Sequence, residues 1–255
     1  MEEKKEEKVR ISVRNLVEFI LREGDLDSRQ GGTTDKEAML LGGRIHRKIQ
    51  RQMGGGYHAE VPLQIVVPCE KLDIIVEGRA DGIIEEDGRT AVDEIKGILQ
   101  DLDLIKEPKK VHLAQAKCYA YIYASIKELS EIGVQMTYCQ METEEVKRFY
   151  QTFSCEELKK WFFDLVHRYE KWAVFQIEWR QKRNQSIKQV EFPFGYREGQ
   201  KDLVVSVYRS ILRKKKLFIQ APTGVGKTMA TVFPAVKAVG EGLANQIFYL
   251  TAKTI

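Results

Sequence analysis

The chain has 255 residues, 43% of them hydrophobic and 31% charged, a composition that excludes disordered and fibrous classes. Its length suits one large domain or two smaller ones, and no apolar run approaches the ~20 residues of a membrane span. The formal net charge of +4 hides a division: residues 176–255 hold 14 Lys/Arg against 5 Asp/Glu, or +9, whereas residues 1–175 hold 27 against 32, or −5. A basic C-terminal part suits a polyanionic partner, although a solvated basic surface explains the charge equally well. Cys69, Cys118, Cys139 and Cys155 lie 49, 21 and 16 residues apart with no CxxC pair, so reduced thiols in a cytoplasmic setting are expected rather than a zinc ribbon. The charge-dense start from Met1 to Arg10 argues against a secretory signal.

In chain order, residues 11–22 read as a short strand or helix entering the core, and Gly24 to Thr34 as a polar loop. The spacing of Ile45, Ile49 and Met53 predicts a helix over 35–53, stopped by Gly54-Gly55-Gly56. From Tyr57 the period becomes two, with Val61, Leu63, Ile65 and Val67 on one face. Further strands are expected over 71–80 and 82–86, then an Asp87-Gly88 hairpin turn and a strand over 90–96. A long helix over 109–130 and a strand over 133–140 follow. Ser154 to Glu157 has the S-x-x-E form of a capping box, opening a helix whose stripe of Leu158, Trp161, Phe162, Leu165, Tyr169 and Trp172 reads as core. This order is α/β with one mixed sheet. Residues 176–190 read as a basic linker. After them come a helix over 198–213, a strand LFIQ (217–220), a glycine-rich turn, a helix over 227–240 and a strand beginning at Gln246, together a βαβ unit.

The sequence Ala221-Pro222-Thr223-Gly224-Val225-Gly226-Lys227-Thr228 is a phosphate-binding loop between an apolar segment and a helix. Its glycines let backbone N–H groups face phosphates, Lys227 suits the β/γ-phosphates, and the Thr228 hydroxyl suits Mg²⁺. The first glycine of the general pattern is Ala221 here. The loop resembles the first motif of superfamily 2 helicases. Phe192 to Gln200 (FPFGYREGQ) resembles the Y-R-x-G-Q segment of the XPD/DinG-like branch, and Tyr249 to Thr254 resembles that branch's next motif. The resemblance implies ATP bound by Gln200, Thr223, Gly224, Val225, Gly226, Lys227 and Thr228, with Gln200 near the adenine, and DNA touched by Thr251 and Lys253. No D-E-x-H box follows, so residues 191–255 are expected to be a partial helicase ATP-binding domain, the N-terminal piece of a longer DNA helicase with 5′-to-3′ polarity.

Upstream, Asp81 and Asp93-Glu94-Ile95-Lys96 form a second constellation. In a strand, Glu94 and Lys96 share a face and Asp93 and Ile95 share the other. Two carboxylates and a lysine can hold a divalent cation and an attacking water; taken alone, a surface strand of alternating charges is the plainer reading. With Gly42…His46, Gly78-Arg79-Ala80-Asp81, and Gln115…Tyr119, however, the ordered set resembles the RecB-like branch of PD-(D/E)XK nucleases. That resemblance implies a restriction-endonuclease-like mixed sheet flanked by helices over residues 1–175, metal binding (Mg²⁺ or Mn²⁺) by His46, Asp81, Glu94 and the Ile95 carbonyl, and catalysis by Lys96 with Asp81 and Glu94. Gln115 and Tyr119 would contact DNA or brace the site, and Glu60, expected to open the first sheet strand, is a further candidate. Many relatives carry an iron–sulfur cluster; the cysteine spacing here predicts none. The implied partner is DNA, unwound by the parent helicase and cut as single strands or at its ends, in DNA repair or processing. The alternatives are a nuclease fold kept only to grip DNA, or a nucleotide-binding sensor.

Overall fold

A computed structural model describes residues 7–23, 34–86 and 88–250. Asp87, residues 24–33 of the expected loop, and the expected DNA contacts Thr251 and Lys253 lie outside them. The chain divides into two units, residues 1–174 and 175–255.

The first unit is built on a six-stranded mixed sheet. Strand β1 (Lys8–Ser12) runs directly into helix α1 (Val13–Ile20), because the Ser12 hydroxyl accepts the Asn15 N–H at 3.1 Å and so starts the helix. Residues 11–22, read as strand or helix, are thus both in succession. Helix α2 (Thr34–Gln52) precedes β2 (Tyr57–Pro68), and Glu60 is the fourth residue of that strand rather than its opening. The two strands expected over 71–80 and 82–86 are one, β3 (Asp73–Glu86). Gly82 sits within it, and the Tyr57 ring lies where its side chain would be. Strand β4 (Arg89–Ile98), helix α3 (Lys110–Lys127), β5 (Glu131–Gln140) and β6 (Val146–Ser154) complete the sheet. No expectation covered β6; its polar, largely exposed sequence KRFYQT hides an edge strand paired antiparallel to β5.

The pairing of β3 creates the site. Strand β2 follows one edge of β3 from Tyr57↔Ile84 to Pro68↔Asp73. The other edge is shared: β1 pairs in parallel with Asp73–Glu77, and β4 pairs antiparallel with Gly82–Glu86. Residues 78–81 lie between these two partners, so one edge of β3 is open there. Helix α3 is buried nearly all round, from Ala114 to Ala124, as befits an element covered on every side. On the opposite face of β4, Ile45 and Ile49 of α2 pack on Ile95 and Cys139.

Helix α4 (Cys155–Lys188) opens with the expected capping box: Glu157 N–H donates to Ser154 Oγ at 3.2 Å and Ser154 N–H to Glu157 Oε2 at 3.0 Å. Leu158, Phe162, Leu165 and Tyr169 are buried, whereas Trp172 is exposed and packs edge-on to Phe19. Residues 176–188, expected as a linker, continue this helix; their polar composition reflects an exposed helix surface, not irregular chain.

The second unit holds the end of α4, α5 (Gln200–Leu212) and α6 (Lys227–Gly240). Lys237 caps α4, donating to the carbonyls of Ile187, Lys188 and Val190 at 3.4, 2.9 and 3.1 Å. The strands expected at 217–220 and from Gln246 are not formed among the described residues. A strand is defined by its ladder, and neither segment has one; Phe218 is 92% and Leu250 91% exposed.

Candidate functional site

The open edge of β3 ends at Asp81. Beyond the last β3–β4 pair, Gly82↔Asp93, the strands part, and the Asp81 carboxylate takes the place of a strand: its Oδ2 accepts the Ile95 N–H at 2.8 Å. Its Oδ1 lies 3.3 Å from His46 Nδ1 on α2. Glu94, one residue past that last pair, is 1% exposed; its Oε1 accepts from Lys96 Nζ at 2.7 Å, and Lys96 Nζ also reaches Gln115 Oε1 at 3.3 Å. Burial, and next the charge of Asp81, push the Glu94 carboxyl up to about 8 from an ordinary 4.5. Its Oε2 is buried without a hydrogen-bond partner among the described residues. An orphaned carboxylate oxygen in a dry site is costly, so this atom marks a position where a donor or cation is wanted.

The fold thus brings together His46, Asp81, Glu94, Lys96 and Gln115, contributed by α2, β3, β4 and α3. Tyr119 is buried and its ring packs over Gly78. Ile95 sends its side chain into the core and its N–H to Asp81.

Three features of the site go beyond the sequence reading above. Gln50, one helical turn beyond His46, donates from Nε2 to the Asp81 carbonyl at 2.9 Å and to Glu60 Oε1 at 3.2 Å. Glu60 interrupts the β2–β3 ladder opposite Asp81 with φ +57°, a left-handed conformation that costs a non-glycine residue about 1 kcal/mol. Asp93, on the other face of β4, accepts from Thr137 Oγ1 at 2.5 Å, Gln135 Nε2 at 3.1 Å and Tyr57 Oη at 3.2 Å, tying three strands together where β3 and β4 part. The His46-to-Gln50 helical spacing is a readable signal; the other two depend on tertiary packing.

Among the described residues, no three His, Cys, Asp or Glu side chains form a ready metal cage. Of the expected set of His46, Asp81, Glu94 and the Ile95 carbonyl, Asp81 lies 3.3 Å from His46 and accepts the Ile95 N–H, while Glu94 is held by Lys96. A hard cation such as Mg²⁺ needs less: one or two carboxylates, with water supplying the rest. Asp81 and the free Oε2 of Glu94 fit that requirement.

In the second unit, Gly224 and Gly226 take left-handed φ of +85° and +74°, and α6 starts at Lys227. Lys227 Nζ donates to the carbonyls of Ala221 and Pro222 at 3.0 and 2.8 Å, folding back on its own loop. The Arg197 guanidinium donates to the Gly224 carbonyl. Gln200 is 4% exposed: its Oε1 accepts the Arg197 N–H at 3.0 Å and its Nε2 donates to the Gly226 carbonyl at 3.3 Å, so it clamps the loop from behind. Thr223 and Thr228 are exposed, Val225 half-buried, and Tyr249 Oη lies 3.4 Å from Thr228 Oγ1.

Residues 202–253 match the DEAD/DEAH box helicase family. This segment is helicase-like. Over 47 residues the chain is 43% identical to the probable ATP-dependent helicase MJ0942 of Methanocaldococcus jannaschii, a match covering 18% of this chain and 7% of that protein. The crystal structure of SSO0001 is similar at a TM-score of 0.42 and 18% identity, over 65% of this chain and 78% of that one. Among the described residues, no helix is long and apolar enough to cross a membrane.

Proposed function

We propose that the chain joins a metal-dependent DNA nuclease domain of the RecB-like PD-(D/E)XK type, over 1–175, to the beginning of an ATP-binding DNA helicase domain of the XPD/DinG-like branch. It would serve DNA processing or repair with single-stranded DNA as substrate. The observation that carries the nuclease reading is the buried Glu94 Oε2, unpartnered among the described residues, beside Asp81 and Lys96 where β3 and β4 part.

Each residue has a task in that reading. Asp81 is fixed through Oδ2 by the Ile95 N–H, and its Oδ1 lies beside His46 Nδ1. Glu94 is held by Lys96 and keeps Oε2 for a ligand. Lys96, steadied by Gln115, stands ready to hydrogen-bond the scissile phosphate or the attacking water. A divalent ion bound by Asp81 and Glu94 would lower the pKa of a bound water and offset charge on the phosphate. In the helicase segment, Lys227 would exchange the carbonyls of Ala221 and Pro222 for nucleotide phosphates, and the loop's N–H groups would cradle them.

The test is digestion of end-labelled single-stranded DNA with Mg²⁺ or Mn²⁺. Cutting by the wild type that is lost in Asp81→Ala and Lys96→Ala supports the reading; a wild type that binds DNA yet never cuts leaves a gripping module. For the helicase segment, ATP binding by the 255-residue chain should disappear in Lys227→Ala. Binding that survives this change would remove the phosphate loop from the account.

A further inference from the structure

The exposed face of α4 beyond residue 174 has no role in either site. Phe175 and Trp179, four residues apart on that face, are 56% and 57% exposed. Their rings lie 11° from parallel with centroids 6.4 Å apart. Lys182 extends the same stripe, Arg180 flanks it, and both are exposed, as is Glu178 on the other flank. The helix is anchored in this unit by other residues: Ile177 is buried, and Ile187 packs against Gly240. The aromatic pair is therefore not needed to seat the helix.

We infer that this stripe is a docking platform for single-stranded DNA. Two observations select that occupant. The charge is complementary: residues 176–255 carry +9, and cations sit within one helical turn of the rings. A helix face built for a protein partner would instead be depleted of charge at its centre. The rings also offer what unpaired bases bind: two exposed, nearly parallel aromatic faces. Flat rings beside cations are the usual apparatus for gripping single strands without regard to sequence. The inference adds a contact to the DNA-directed reading above and rests on neither metal nor ATP, so the two fail separately.

The experiment measures fluorescence anisotropy of a labelled dT20 with the full 255-residue chain in EDTA and without nucleotide, so that neither cutting nor ATP contributes. Phe175→Ala/Trp179→Ala should weaken binding at least roughly tenfold, from about 1–3 kcal/mol per stacked base. Phe175→Tyr/Trp179→Phe, which keeps two rings, should restore it; this separates lost stacking from lost folding. Arg180→Glu/Lys182→Glu should flatten the salt dependence by about 0.7 in log–log slope per cation removed. With Trp161→Phe/Trp172→Phe as background, dT20 should quench the remaining Trp179 emission. Unchanged affinity in the double alanine variant overturns the inference. So does duplex DNA binding as tightly as dT20, tighter binding of rU20, or a wild-type dimer that the alanine variant abolishes.

Discussion

Asp93 and Glu94 are neighbours in the chain, both buried, and on opposite faces of one strand, yet their surroundings differ in kind. Asp93 has three donors and ties β2, β4 and β5 together. Glu94 has one cationic partner and, among the described residues, an oxygen with none. A carboxylate whose lone pairs are answered by its own fold has been spent on stability. One left with an unanswered oxygen beside a second carboxylate costs stability, and the cost is recovered when something binds. The difference separates the scaffold of this site from its chemistry.

The largest expected effect tests the chemical face. Lys96→Ala or Glu94→Gln should cut metal-dependent DNA cleavage by at least about 10²–10³-fold, measured on end-labelled single strands, while Glu94→Gln leaves the urea midpoint unchanged or raised. Next is the scaffold face: Asp93→Ala leaves Tyr57, Gln135 and Thr137 without their acceptor and should lower unfolding free energy by about 3 kcal/mol. If the two variants lose stability equally, the contrast between the faces fails.

A smaller effect comes from His112, on α3, whose Nδ1 lies 3.1 Å from Tyr138 Oη. Burial, then the charge of Lys96, push its imidazole down to about 4 from 6.5. The unfolded chain therefore binds the extra proton first. Stability falls as pH drops below about 6.5, and the loss is complete below about 4, on the order of 3 kcal/mol. His112→Asn should flatten that part of a pH-dependent denaturation series. The smallest is Ser154→Ala, which removes one half of the α4 capping box and should cost about 1 kcal/mol in thermal or urea unfolding.

Legibility in the sequence followed the range of the interaction. The alternation of β2 and the capping box of α4 are local, and both were readable. The ordered constellation His46, Asp81, Glu94, Lys96, Gln115 was legible only as a resemblance; strand parity by itself put Glu94 and Lys96 on one face and left the rest to packing. Strand β6 was not legible, since an edge strand needs only one apolar face and this one is largely polar. The unbroken β3 was read as two strands parted at Asp81, where the β2–β3 ladder itself skips a pair while β3 runs on. The left-handed Glu60 has no sequence signal at all. The opposite error occurred at 217–220 and beyond 245, where apolar residues promised strands: local pattern supplies a willing segment, but only a neighbour makes a ladder.

The contact between Gly78 and Tyr119 has its own consequence. A methyl group at position 78 would stand 2.6 Å from the tyrosine hydroxyl and 2.9 Å from its ring. The glycine that opens G-x-x-D and the tyrosine that closes Q-x-x-x-Y, 41 positions apart, are therefore two halves of one steric bargain. A sequence that gives up the glycine has room to do so only where the aromatic ring has already shrunk, and divergent kin are better searched for with the two letters scored as a pair.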